Sequence, residues 1–307
     1  MFSCNNKNIS ELSWIHRGGV AYSYYEPESL EEFKNLLSYL YRTKSSFQIV
    51  GMTSNIHFKN TYNIENLIST RRLTTWIETE DGIICDCGVS ASLVSRRMVG
   101  KGYKGFEGLI DLPGTIGGAI YGNAGCFGCL VSDLVESVDV LHPDGQVRTY
   151  SKEEIGFTRR MSNFKNGSIC GVILSSKLKI EKGDATELKA IADKNHELRK
   201  QTQPAPKNNL GTIYCELGNR TKFGRLIGIV GGVYFRLLKF KGYDFAKRSY
   251  LRELFELKLA GGHKCLPYLE KGRFIWKDER ADNVFEKYQK VINRLYRHPR
   301  LEIEIKA

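Results

Sequence analysis

At 307 residues and 41% hydrophobic, the chain has enough apolar material for a sizeable core, and its length points to two or three domains. Its polar start, Met1 to Ser10, offers no signal peptide, and its longest nearly uncharged apolar run, Leu226 to Phe235, is about half of the ~20 residues that a membrane span needs. The formal charge of +12 is uneven: residues 1 to 200 hold 24 Lys and Arg against 23 Asp and Glu, and residues 201 to 307 hold 22 against 11, so +11 of it lies in the last third.

Ser29 to Thr43 opens with Ser and two glutamates and spaces Phe33, Leu36, Leu37 and Leu40 as a helix, which runs into a strand at Phe47 to Val50 and a tight turn at Gly51. Alternating β character follows from Thr75 to Val89 and again from Gly125 to Tyr150, with Pro143-Asp144-Gly145 as a hairpin turn. Asp184 to Lys200 reads as an amphipathic helix capped by its Asp, and Gln201 to Asn209 as a linker. Tyr243 to Leu259 has apolar residues at helical spacing with basic residues between them. These elements give an α+β protein without internal repeats, divided at 1–74, 75–200 and 201–307.

Two segments suit a pyrophosphate: Gly51-Met52-Thr53-Ser54-Asn55 after a strand, and Pro113-Gly114-Thr115-Ile116-Gly117-Gly118. Glycines let backbone N–H groups converge on phosphate oxygens, and Ser54, Asn55 and Thr115 add side-chain hydrogen bonds. Neither is a Rossmann fingerprint or a Walker loop, because the glycine spacing differs and no Gly-Lys-Ser/Thr follows. Glu107 to Gly128 is dense in small residues and poor in charge, the composition needed where backbone lies against a flat ligand.

The run Phe106-Glu107-Gly108, Pro113-Gly114-Thr115, Gly117-Gly118-Ala119 and Asn123-Ala124-Gly125, with the upstream Gly51-x-x-Ser54-Asn55 loop, resembles the hallmark of the UDP-N-acetylenolpyruvoylglucosamine reductases. Other pieces fall in that family's order: Arg17-Gly18-Gly19-x-Ala21, Arg160-Met161-Ser162 and Gln203-Pro204. The resemblance implies a two-lobed FAD-binding domain of the PCMH/vanillyl-alcohol-oxidase type plus a smaller α/β substrate domain. It implies lobes at 1–74 and 75–200, a substrate domain at 201–307, and non-covalent FAD on Gly51, Thr53, Ser54, Asn55, Pro113, Gly114, Thr115, Gly117, Gly118, Asn123, Ala124 and Gly125. On this reading a valine at Gly117 would intrude on the cofactor.

The implied reaction passes hydride from NADPH through the flavin to the enolpyruvyl carbon of a UDP-sugar, followed by protonation of the neighbouring carbon, a cytoplasmic step of peptidoglycan precursor synthesis. It needs a cation near the developing enolate and a proton donor. The resemblance assigns Arg160 as the cation, Thr212 to the position of the family's catalytic serine, and Glu304, in Leu301-Glu302-Ile303-Glu304-Ile305, as the final carboxylate. Strand alternation would put Glu302 and Glu304 on one face, and position in the motif favours Glu304.

Departures cluster in the last third. Cys215-Glu216-Leu217, three residues after Thr212, stands in place of a Lys-Asn-Pro element, Gly228 stands for a glutamate, Glu270-Lys271-Gly272-Arg273-Phe274 replaces another family element, and Phe235 to Leu269 reads as unrelated text. An enzyme of a different nucleotide-sugar, a relative without the activity and a basic nucleic-acid-binding module stay open as alternatives. No nucleic-acid motif is present and no metal site is expected, because Cys85-x-Cys87 and Cys126-x-x-Cys129 are separated by strand and glycine loop. Cys126 falls in the segment that the resemblance sets beside the isoalloxazine, and a redox-active thiol is one reading of it.

Overall fold

The computed structural model describes residues 1–237 and 245–307. Close packing divides them into two units, one of Met1–Ser54, Asn60–Gln201 and Ala307, the other of Asn55–Lys59 and Thr202–Lys306.

Within the first unit, strands β1 (Phe2–Asn8), β2 (Val20–Glu26) and β3 (Phe47–Val50) flank helix α1 (Leu30–Thr43). Ser29 caps α1 by accepting from the Glu32 N–H, Lys44 ends it in the left-handed conformation, and Phe33, Leu36, Leu37 and Leu40 are its buried face. Strand β4 (Ile56–Phe58) belongs to the second unit, whereas β5 (Ile64–Ser69) returns to the first and completes a sheet of order β1-β2-β5-β3. Both β2 and β3 run parallel to β5.

A second sheet follows. Strands β6 (Trp76–Glu78) and β7 (Gly82–Asp86) lead to helix α2 (Ala91–Gly100) and to the six-residue α3 (Ile116–Tyr121), then to a short hairpin, β8 (Gly125–Cys126) and β9 (Cys129–Leu130). After α4 (Val131–Leu134) come β10 (Val135–Leu141), β11 (Val147–Ser151), α5 (Lys152–Ile155) and β12 (Val172–Lys179), giving an antiparallel sheet of order β11-β10-β12-β7-β6. The β10–β11 hairpin turns at Gly145, whose φ of 81° suits glycine. Inward residues of this second sheet, Ile83 and Cys85 of β7, Val138 and Val140 of β10 and Leu178 of β12, meet Val94, Met98, Ile116 and Ile120 from α2 and α3 in one core. A second core sets Phe33, Leu37 and Leu40 of α1 against Leu141, Val172 and Leu174 of the second sheet. Helix α6 (Ala185–Thr202) starts where Asp184 accepts from the Glu187 N–H.

The second unit contains β13 (Tyr214–Glu216), α7 (Lys222–Leu237), α8 (Phe245–Leu257), the hairpin β14 (Leu269–Glu270) and β15 (Arg273–Phe274), α9 (Ala281–Leu295), β16 (Arg300–Leu301) and β17 (Glu304–Lys306). The amphipathic segment read from Tyr243 is the helix α8 from Phe245 onward, and its first two residues lie outside the described ones. Apolar residues of α9 recur every three or four positions, and Phe285 and Tyr288 stack around Phe274, Trp276 and His57. The C-terminal segment is not one alternating strand. It bends at Glu302 and Ile303, because β16 pairs with β13 while β17 pairs, in parallel, with β4. Among the described residues no helix is long and apolar enough to cross a membrane.

Candidate flavin and reduction site

The two glycine loops touch within the first unit. Ser54 Oγ donates to the Pro113 carbonyl at 3.1 Å, and a Cβ on Gly51 would lie 2.6 Å from Thr115 Oγ1. Thr53 takes a left-handed φ of 57°, unusual for a β-branched residue, and its hydroxyl bridges the Leu12 carbonyl and the Trp14 N–H. Arg71, which sequence reasoning missed, donates to the carbonyls of Gly51 and Leu12 at 3.2 and 2.6 Å. Its only signal is a basic residue just after β5.

Among the described residues no acceptor takes the N–H groups of Ser54, Gly114 or Thr115, although Thr115 is buried. Unclaimed donors on two adjoining loops fit an anionic group, and Gly114, with a φ of 123°, keeps side-chain bulk off that surface. The neighbouring glycines divide differently from the sequence expectation. Gly117 spends its N–H on the Cys87 carbonyl, and a Cβ there would lie 2.8 Å from Cys87 Cβ, so a valine at 117 would strike the protein's own strand end before any ligand. Gly118 is exposed, and its N–H is capped by Thr115 Oγ1 at 3.2 Å.

Asn123 is buried with a φ of 43°; its Nδ2 donates to the Thr158 carbonyl, and its Oδ1 has no hydrogen-bond partner among the described residues. An orphaned buried acceptor in the loop Tyr121 to Gly125 fits the polar edge of a flavin. Arg160 sits at the corner of the tight Thr158–Met161 turn with a φ of 56°, and its guanidinium donates to the carbonyls of Asn123 and Gly125 at 3.4 and 2.8 Å. Ser162, wholly buried, ties Tyr121 O to the same turn at 2.7 Å. The structure thus brings Asn123, Ala124, Gly125 and Arg160 together.

In the second unit, Asn55 Nδ2 donates to Glu302 O, and Asn55 O accepts from the Glu304 N–H at 2.9 Å. Glu302 N–H in turn donates to Ile213 O at 2.8 Å, which sets the backbone of Thr212 and Ile213 beside the same C-terminal segment. The Glu304 carboxylate pairs with Lys306 at 3.6 Å. Thr212 is half-buried, and its hydroxyl has no hydrogen-bond partner among the described residues. Asn55, Thr212 and Glu304 are therefore collected in one place, and Arg160 belongs to the first unit.

The departure at Gly228 has a physical reason. A Cβ there would lie 2.4 Å from Arg220 Nη1, and that guanidinium is held by the Gly224 carbonyl and by the buried Glu256 carboxylate at 2.6 Å. Arg252 completes the clamp on Glu256 at 2.9 Å. An arginine uses the space that a side chain at 228 would need.

Residues 22–151 match the family described as an FAD binding domain. The chain is 30% identical over 268 residues to the UDP-N-acetylenolpyruvoylglucosamine reductase of Thermosipho melanesiensis, covering 82% of this chain and 89% of that one. It is 31% identical over 214 residues to the enzyme of that name from Rickettsia bellii, covering 68% of each. A crystal structure of UDP-N-acetylenolpyruvylglucosamine reductase from Thermus caldophilus superposes with a TM-score of 0.69 at 23% identity over the whole of both chains, a likeness of fold. The loops and these likenesses define an FAD-dependent oxidoreductase. More particularly, the chain belongs to the UDP-N-acetylenolpyruvoylglucosamine reductase family.

Proposed function

We propose that this chain is a cytoplasmic, NADPH-dependent reductase of an enolpyruvyl UDP-sugar, acting in the synthesis of a peptidoglycan precursor. The observation that carries the reading is the meeting of two glycine loops with the unclaimed N–H groups of Ser54, Gly114 and Thr115. With Gly51, Thr53, Asn55, Pro113 and Gly118 those residues hold the FAD diphosphate, Gly117 supports them from beneath, and Asn123, Ala124 and Gly125 line the ring system. FAD, when bound, supplies the relay of hydride from the nicotinamide to the substrate carbon.

The chain's own residues do the rest. Arg160 offsets the negative charge that develops on the enolate, its guanidinium already oriented by two loop carbonyls. Thr212 Oγ1 gives its proton to the carbon next to the one reduced; that no described residue takes its hydroxyl supports that role. Glu304 supplies the second acid–base group, fixed by strand pairing through Asn55 and Ile56.

A second reading, reduction of a different enolpyruvyl nucleotide-sugar of surface-polysaccharide synthesis, is favoured by the Arg220 side chain filling the space at Gly228. Both readings predict that Thr212→Ala leaves flavin bleaching by NADPH nearly intact and slows substrate turnover on the order of a hundredfold, while Thr212→Ser is tolerated. Stopped-flow bleaching and steady-state turnover with a panel of enolpyruvyl UDP-sugars measure the two halves. Normal turnover by Thr212→Ala would remove Thr212 from the chemistry, and the substrate that reoxidises the flavin chooses between the readings.

A further inference from the structure

Cys126 and Cys129 are used neither by the glycine loops nor by the proposed reduction. They flank Phe127-Gly128, whose φ values of 48° and 84° make a two-residue turn. Strands β8 and β9 pair Cys126 directly with Cys129. Facing residues of an antiparallel pair have Cα atoms about 4.5 to 5.5 Å apart and share a face, inside the roughly 4.4 to 6.8 Å that a disulfide spans.

The two thiols have unlike surroundings. Arg199 Nη2 donates to Cys126 Sγ at 3.0 Å. Arg199 is held there by its helix: Asn195 Nδ2 donates to the Glu107 carbonyl at 3.2 Å, and His196 Nδ1 meets Asp111 Oδ2 at 2.7 Å, so the last turns of α6 are fastened along the loop beneath the hairpin. Cys129 packs against Gly108. A Cβ on Gly108 would lie 2.7 Å from Cys129 Sγ, so the sulfur occupies space that only a glycine leaves. Burial, and then the nearby Glu107 carboxylate, push the Cys129 thiol pKa up. Both thiols are half-buried, and one of them lies against a guanidinium while the other lies near a carboxylate, the arrangement of an attacking and a resolving cysteine. Cys85 and Cys87, by contrast, are buried, and burial drives both thiols up, Cys85 to about 12.

We propose that Cys126 and Cys129 form a reversible dithiol–disulfide pair, with Cys126, held by Arg199, as the attacking thiol, Cys129 as the resolving thiol and a low-molecular-weight disulfide as the oxidant. Cys126 loses its proton and its thiolate attacks one sulfur of R–S–S–R, forming Cys126–S–S–R and expelling RS⁻, which takes up that proton. Cys129 then loses its proton and attacks Cys126 Sγ, forming the internal disulfide and expelling a second RS⁻, which is protonated in turn. Two protein thiols are oxidised and one small disulfide is reduced to two thiols. The crosslink stiffens the hairpin that begins at Gly125, whose carbonyl, with that of Asn123 just before it, holds Arg160. The inference does not depend on which sugar is the substrate.

The test uses the full flavin-loaded chain, equilibrated across a series of reduced to oxidised glutathione, acid-quenched, unfolded, alkylated and peptide-mapped. All eight thiols are free in the reduced form, and oxidation is expected to leave six alkylatable, with Cys126 and Cys129 in one peptide lighter by two hydrogen atoms. Cys129→Ser should trap glutathione on Cys126, whereas Cys126→Ser should trap none on Cys129. Arg199→Ala should slow alkylation of native Cys126 about tenfold, and Arg199→Lys should restore most of the rate. A cooperative melt at the parent temperature checks that each variant is folded. Eight alkylatable thiols throughout the series, a crosslink to any other cysteine, trapping on Cys129 alone, or an unchanged rate in Arg199→Ala would overturn the proposal.

Discussion

Gly117 and Gly118 are neighbours in the sequence and carry opposite burdens. The composition of the loop makes them look equivalent, because a string of glycines says that backbone must approach something without saying on which side. The structure separates them: the missing side chain of Gly117 faces Cys87 at 2.8 Å, and that of Gly118 faces open space apart from Thr115 Oγ1 at 3.4 Å. Gly117→Val should therefore cost stability, about 1 to 3 kcal/mol for overpacking, seen as a lower melting temperature in flavin-free protein. Gly118→Asp should leave that melt nearly unchanged and abolish the yellow colour, since it sets a carboxylate against the proposed diphosphate. If Gly118→Asp retains flavin, the loop does not hold the phosphates. Arg160 and Asn123 were legible as motif positions. Arg71 was not, because its hold on Leu12 and Gly51 depends on a chain reversal that no local pattern records.

Elements with strong local punctuation were legible, and those defined by distant partners were not. Helix α1 begins at a serine cap followed by glutamates, and α6 at an aspartate cap, so both starts follow from side-chain chemistry alone. The end of the chain illustrates the other case. Leu301 to Ile305 reads as one strand, yet it changes partners from β13 to β4, and alternation fails at the bend. The fastening of α6 is also tertiary. Asp111, with a side chain 13% exposed, joins Arg96 at 2.8 Å and His196 at 2.7 Å. Burial alone would raise its pKa, but the hydrogen bonds from His196 and Arg96 and their charges outweigh it and bring it below the usual carboxylate value. A carboxyl depressed in the folded state stabilises fully above its unfolded pKa, about 3.9, and loses that contribution as pH falls through the folded value. Asp111→Asn should thus cost about 1 kcal/mol at pH 7, and its melting curve should converge with the parent's below about pH 4. A constant gap between the two from pH 7 to pH 3 would mean that the carboxylate's charge is not what fastens the helix.

Charge divides the whole molecule as clearly as packing does. The first 200 residues are nearly neutral and carry the glycine loops, whose unclaimed donors are backbone N–H groups; the last 107 carry the +11 excess. A cavity of about 470 Å³ in the second unit is lined by Lys264, Lys277, Arg280 and Lys287, so part of that excess is gathered at one opening. Cofactor and substrate should therefore answer differently to salt. Contacts through short backbone hydrogen bonds are local, whereas attraction of a diphosphate to a diffuse positive field weakens as the Debye length shrinks from about 30 Å at 0.01 M to about 8 Å at 0.15 M. Raising ionic strength across that range should leave bound flavin per chain unchanged and increase the KM for a UDP-sugar roughly tenfold, with kcat little altered. Duplex DNA added at low salt should not compete with the sugar. Flavin lost in step with the rise in KM would place the cofactor's hold in the same electrostatic field. A KM flat with salt, beside tight binding of DNA, would instead make the basic third a nucleic-acid surface and leave the substrate to be recognised by uncharged contacts.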